Sequence, residues 1–209
     1  MLDLKICLRM KGRILIIERG ISMHGYIVLI AFATMIILVI GRSRQMKKLG
    51  LKAIQFGAQD KKDFIIPPFV LLYFYLIIAN TFNLPRFGST LLDNAISAWV
   101  GTGLSVIAPF LFLWGMVSFG NSFRVGLDAD KPGNLVTDGA FAISRNPLYV
   151  AFHMVLIGTF LIYPAWIFFV YMILAFWLID RQVCIEENFL RKTFGNEYDD
   201  YCNNVRRYI

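Results

Sequence analysis

Residues 148–179 read LYVAFHMVLIGTFLIYPAWIFFVYMILAFWLI, an unbroken stretch without Asp, Glu, Lys or Arg. An apolar run of about 18 or more residues marks a bilayer-crossing helix, and this one is longer than a single span needs. Pro164 lies near its middle. A proline inside a helix removes a backbone donor and clashes with the preceding turn, so the helix breaks or kinks there. The run therefore predicts a helical hairpin, 148–162 and 165–179, turning at Tyr163-Pro164. Each helix of about 15 residues covers about 22 Å, against a hydrocarbon core of about 30 Å. Both are expected to be tilted, extended at their ends or partly inserted.

Outward from this run, the composition says the same of the whole chain. Hydrophobic residues make up 57% of the 209 and charged residues 17%, and the mean hydropathy is +0.60. A soluble domain is excluded, and an all-α polytopic transmembrane helix bundle is expected. Further apolar stretches at 26–40, 64–84 and 95–119 predict three more spans, about five in all. Pro67-Pro68 stands near the start of the second, where proline is best tolerated. The intervening segment 41–63 carries Arg42, Arg44, Lys47, Lys48, Lys52, Lys61 and Lys62, which places it in the cytoplasm. Alternation then puts the N-terminus outside and both 120–147 and 180–209 in the cytoplasm. The net charge of +7 sits in these loops, where it suits anionic headgroups rather than nucleic acid.

Residues 1–23, with Lys5, Arg9, Lys11, Arg13 and Arg19, dissent from this orientation. They read as a peripheral or interfacial segment, and Met23, just before the first span, is an alternative start. Cys7, Cys184 and Cys202 form no CxxC pattern and read as unpaired thiols. With His24 and His153 the only histidines, no metal site is expected. No repeat or linker divides the chain, so it reads as one integral-membrane domain.

On the N-terminal side of the hairpin stands LVTDGAFAISRNPLY, residues 135–149. Asp138-Gly139 is a strong turn pair. Asn146 is placed to cap a helix whose first residue, Pro147, is pre-set for that position. Free N–H groups at the helix start, with Arg145 beside them, would make an anion-binding corner at the membrane surface. The bland alternative is a well-capped helix with a snorkelling arginine.

On the other side lies the pair Glu186-Glu187. Spacings of three, four and seven put Glu186 on one face with Phe189, Leu190 and Thr193, whereas Glu187 precedes Arg191 by four, as in a surface ion pair. Glu186 is thus the carboxylate expected on the apolar side, where a bare charge is costly without a partner. It would hold a ligand cation, or else pair internally with Arg145, Arg124 or Arg181. An anion corner and such a carboxylate together suit a zwitterion, an amino acid moiety above all.

LVTDGAFAISRNPLYV, a greasy hairpin, and then EENFLRKTFGNEYDDYCNNVRRY together resemble the isoprenylcysteine carboxyl methyltransferase family and the related phospholipid N-methyltransferases. The resemblance covers roughly residues 120–208. It implies an integral membrane methyltransferase that uses S-adenosyl-L-methionine, with 24–119 supplying three spans and 120–209 the catalytic half. A cytoplasmic C-terminal helix would complete the cofactor pocket. Carried onto this chain, the cofactor shell comprises Asn134, Leu135, Val136, Phe141, Asn146, Pro147, Leu148, Tyr149, Glu186 and Glu187. Arg145 would organise that corner, and Arg181 would face a lipophilic or prenylated acceptor arriving from the bilayer. Three positions depart from the family: Phe141 replaces a common Tyr, Ala151 a common Gly, and the acceptor-side Arg falls in register on Gln182.

Two acceptors follow from the resemblance, with a small lipophilic thiol or carboxylate also open. The first is the carboxylate of an isoprenylcysteine-like substrate, which needs a cation to hold it. The alternative is a phospholipid amine, which needs a base. His153, one turn after Tyr149, is the candidate base, and a helix–helix hydrogen bond is the other reading of that residue. A non-catalytic membrane protein that retains the pocket is the competing class.

Overall fold

The computed structural model describes residues 4–10, 13–19, 23–48, 64–82, 84, 91, 94–120 and 134–209. Strands β1 (Leu4–Met10) and β2 (Arg13–Arg19) pair antiparallel, with Leu4 opposite Arg19 and Met10 opposite Arg13. The basic segment expected to lie at the interface is thus a two-stranded ribbon; its run of isoleucines favours extended backbone. Everything described after it is helical or connecting: α1 (Met23–Lys48), α2 (Ile66–Thr81), α3 (Ala95–Phe119), α4 (Pro147–Ile162), α5 (Trp166–Phe194) and α6 (Asn196–Asn204). Helices α1, α3 and α5 are long and apolar enough to cross a membrane, and α2 and α4 are shorter apolar helices. At 16 residues each, the two short ones reach roughly 24 Å. Large side chains such as Ile30, Leu71, Phe110 and Trp177 point outward, as a lipid-facing surface requires.

Two helices run past their expected limits. The first span ends near residue 40 by hydropathy, but α1 continues through Gly41 to Lys48. A single glycine costs a helix only about 1 kcal/mol, and Lys47 and Lys48 suit the negative end of the helix dipole. Arg42 donates to the carbonyl of Gly120 at the end of α3. The remaining basic residues Lys52, Lys61 and Lys62 lie outside the described residues, as does Arg124. Similarly, α5 does not stop at residue 179. No helix breaker occurs before Gly195, whose φ of +55° ends the helix.

The bundle has two distinct ends. One gathers Arg42, Gly120, the start of α4 and the last turns of α5. The other gathers His24, whose Nδ1 lies 2.7 Å from Thr102 Oγ1, and Thr81, whose hydroxyl lies 3.1 Å from that of Tyr163. The Tyr163-Pro164 turn expected between the hairpin helices sits at this second end, where Pro164 accepts from Leu91 N at 2.6 Å. Alternating spans produce this arrangement.

The closest packing is between α3 and α4. A Cβ added to Gly158 would lie 2.6 Å from Ser105 Oγ and 2.7 Å from the carbonyl oxygen of Gly101. Only hydrogens let the two backbones approach so nearly, a small-residue contact typical of membrane helices. Deeper in the bundle, Tyr73 of α2 donates to Thr159 Oγ1 of α4 at 2.6 Å. Its ring stacks on Tyr171 of α5 at 4.7 Å, and Tyr171 donates to the Phe69 carbonyl at 2.8 Å. Thus α4 is buried between α3 and the other helices, and its first turn is held at a fixed place. Gly158→Ala should push α3 and α4 apart and lower stability by about 1–3 kcal/mol. A thermal midpoint in detergent equal to that of the unaltered protein would contradict this packing.

Candidate functional site

The site is built on a turn. Gly139 adopts φ +59°, a left-handed conformation that glycine enters without strain, and Asp138-Gly139 is a turn as its sequence predicts. A short 3-10 helix follows over Gly139–Ala142, with Ala140 N donating to Ser118 Oγ of α3 at 3.0 Å. Phe141 is buried and meets Phe119 edge-on at 4.9 Å. The Tyr201 hydroxyl of α6 donates to the Phe141 carbonyl at 2.6 Å. Burial holds the phenols of Tyr198 and Tyr201 neutral, well above their usual range.

Beyond the turn lies the strongest polar network in the described residues. Arg145 sends Nε and Nη2 to Glu187 Oε1 at 3.2 and 3.1 Å, and Nη1 to the carbonyls of Cys202 and Val205 at 3.2 and 2.8 Å. The other carboxylate oxygen accepts from Arg207 Nε and Nη2 at 3.1 and 2.9 Å. Asn146 Nδ2 adds a bond to Glu187 Oε1 at 3.3 Å and one to the Arg207 carbonyl at 3.1 Å. Arg145 N donates to the Arg206 carbonyl at 3.0 Å. Residues 205–208 are thereby strapped across the starts of α4 and the last turns of α5. The bond to Glu187 raises the already high pKa of Arg207.

This network corrects three expectations. Glu187 is the buried carboxylate, at 5% exposure, and Arg191 pairs instead with Asp199 of α6 at 2.7 Å. The reason is helical phase. Because α5 is continuous, its buried stripe of Tyr171, Ala175 and Val183 carries through to Glu187, and the apolar residues after the pair do not set the face. Second, Asn146 makes no side-chain cap, since its amide is committed to Glu187 and Arg207. Third, the Arg145 guanidinium binds protein groups and organises the corner from within.

Glu186 lies beside this network on the seam between α4 and α5. Its Oε1 accepts from the Tyr149 hydroxyl at 2.7 Å and from Gln182 Nε2 at 3.0 Å. One turn deeper, the His153 ring meets Phe176 at 4.4 Å and Tyr208 at 5.1 Å. Tyr208 also donates to Asp180 Oδ1 at 3.1 Å. Gln182 reaches the seam; Arg181 is one residue away, about 100° around the helix.

The predicted residues therefore separate by position. Arg145, Asn146 and Glu187 converge on one ion network, and Tyr149 and Glu186 pair on the seam. Leu148 and Pro147 pack on Gly115 of α3. Phe141 is core, Asn134 is exposed, and Leu135 and Val136 are half-buried ahead of the turn. Arg207 and Tyr208 were not foreseen. They follow a separate helix, so no spacing relates them to α4 or α5, and a basic pair near the chain's end reads as solvated.

A family profile described as "Phospholipid methyltransferase" matches residues 96–197, from the start of α3 to the start of α6. The protein-S-isoprenylcysteine O-methyltransferase of Schizosaccharomyces pombe is 30% identical over 132 residues, covering 61% of this chain and 56% of that protein. Over this half the chain is similar both to that profile and to an isoprenylcysteine methyltransferase. A probable protein-S-isoprenylcysteine O-methyltransferase of Oryza sativa subsp. indica is 27% identical over 111 residues, 52% of this chain and 58% of its own. The chain spans little more than half the length of these curated relatives. No solved structure matches it.

Removing one partner from a buried ion network costs about 3–5 kcal/mol. Glu187→Ala should therefore lower the unfolding midpoint sharply, while Glu186→Ala leaves it nearly unchanged. Thermal denaturation of both variants in one detergent checks this, and equal midpoints would refute the assignment of Glu187 as the structural carboxylate.

Proposed function

We propose that this membrane protein is an S-adenosylmethionine-dependent methyltransferase acting on a lipophilic acceptor from the bilayer, in the first reading the carboxylate of an isoprenylcysteine-like substrate. The observation that carries the proposal is the Tyr149–Glu186 pair, 2.7 Å apart on the α4–α5 seam, within the segment matched by the family profile. A carboxylate, a phenol and an amide facing one seam form an oxygen-rich set suited to an ammonium group. The set fits the cationic end of an amino acid moiety.

The anionic end is served differently from what the sequence suggests. Arg145 spends its donors on Glu187 and on the carbonyls of Cys202 and Val205. A ligand carboxylate would instead meet the positive end of α4, whose first turn the Asn146 side chain does not cap. Arg145, Asn146 and Glu187 then act as positioning residues. When bound, the cofactor supplies a sulfonium methyl group whose S–C bond breaks as the bond to the acceptor forms, leaving a neutral thioether. The protein's share is orientation and exclusion of water, for which the strap over 205–208 and the apolar seam are suited. Arg42, Arg44, Lys47 and Lys48 lie at the same end of the bundle as the site, which supports a cytoplasmic active site.

A second reading has its own support. Gln182, beside Glu186 on the seam, has no charge to hold a carboxylate, and the family profile is described by phospholipid methylation. A phospholipid amine must lose a proton, and in this reading His153 would take it.

Calorimetry on the detergent-purified protein should detect S-adenosylmethionine binding, and Glu186→Ala should weaken it at least about tenfold, as expected for loss of a charged hydrogen bond. Equal affinities would overturn the assignment of Glu186. Incubating membranes with methyl-labelled cofactor then separates the acceptors: base-labile label in a lipophilic product marks an ester, and base-stable label N- or S-methylation. Absence of labelled product would reject the enzymatic reading.

A further inference from the structure

Among the described residues, the α4–α5 seam contains a buried acceptor without a donor. Gln182 Nε2 donates to Glu186 Oε1 at 3.0 Å, and this bond decides which way the amide points. Turning it over would set its carbonyl against a carboxylate, oxygen facing oxygen. The carbonyl Oε1 must therefore face the other way, where it is buried and has no partner among the described residues. Buried carbonyls in folded proteins nearly always find donors, and one left unpaired is destabilising. A membrane helix can avoid that cost by carrying Leu or Met at such a position. Here α5 keeps an amide one turn before Glu186, on the side that meets Tyr149 of α4.

The chemistry of the missing donor is constrained. An anion is repelled by the Glu186 carboxylate. An arginine or lysine at position 182 would itself pair with Glu186 and fill the place. An ammonium brings three N–H donors in a tetrahedral array, so it can address a carboxylate and a neighbouring carbonyl together. The nearby guanidinium groups of Arg145 and Arg207 are committed to Glu187. We propose that Gln182 is a further ligand-binding residue, its Oε1 accepting a hydrogen bond from the ammonium of the cofactor's amino acid portion beside Glu186. This rests on the S-adenosylmethionine reading given above and adds to it a residue that selects for the amino group. It also accounts for an uncharged side chain at this position of the seam.

The test uses the full chain in detergent and two probes, S-adenosylmethionine and its analogue lacking only the amino group, each titrated by calorimetry. The unaltered protein should prefer the amino form. Gln182→Met should weaken the amino form by about tenfold, as expected for a hydrogen bond to a charged group, and leave the analogue's affinity unchanged, so that the preference collapses. Gln182→Lys should do the same more strongly, because its own ammonium pairs with Glu186, and it keeps the test open if the Met variant does not fold. Equal weakening of both probes would show a structural role and overturn the proposal, as would unchanged affinities for both. If the unaltered protein binds neither probe, the cofactor reading itself fails, an outcome distinct from normal binding that Gln182→Met does not disturb.

Discussion

A single carboxylate, shared between two arginines, joins the parts of this protein that are far apart in sequence. Glu187 offers one oxygen to Arg145 and the other to Arg207, and Asn146 completes its shell. Burying a charge is costly unless its partners are close and well aligned, and each guanidinium meets the carboxylate through two N–H groups. The same Arg145 satisfies carbonyls at the end of α6. One ion network therefore fixes the start of α4, the last turns of α5, the exit of α6 and the strap beyond it. Whatever binds at the seam finds walls already held in register.

The membrane-embedded part makes that network possible through packing alone. The glycine contact between α3 and α4 sets the depth of α4. The stacked tyrosines and the Tyr73–Thr159 bond set its rotation relative to α2 and α5. Because α5 runs without a break from the bilayer into the site, its rotational phase in lipid determines which glutamate is buried outside it. That coupling explains why two adjacent acids have different environments: Glu187 follows the buried stripe and Glu186 falls one step off it, onto the seam.

Much of this was legible in the sequence. Apolar length and Pro164 located the hairpin, Asp138-Gly139 located the turn, and Pro147 marked the first residue of α4. Arg145, Tyr149 and Glu186 were singled out as a set and do meet at one end of the bundle. Local spacing around Glu186 points to the wrong glutamate as the buried one, because the upstream phase of a 29-residue helix decides. Asn146 looked like a cap because local chemistry favours one, and a tertiary carboxylate outcompeted it. The contribution of 205–208 was invisible, since a segment that returns from another helix leaves no periodic trace beside its partners.

The strap has a consequence for the order of assembly. A chain synthesised from its N-terminus completes α1 to α5 before residues 205–208 exist. Until Arg207 arrives, Glu187 has only half of its cationic shell, and the seam between α4 and α5 lacks the Tyr208 ring that meets His153. Insertion and the finishing of the site are therefore separate events, the first governed by lipid and the second by a few polar bonds made at its surface. A chain arrested between them would be anchored and largely helical, yet its seam would still be open to water.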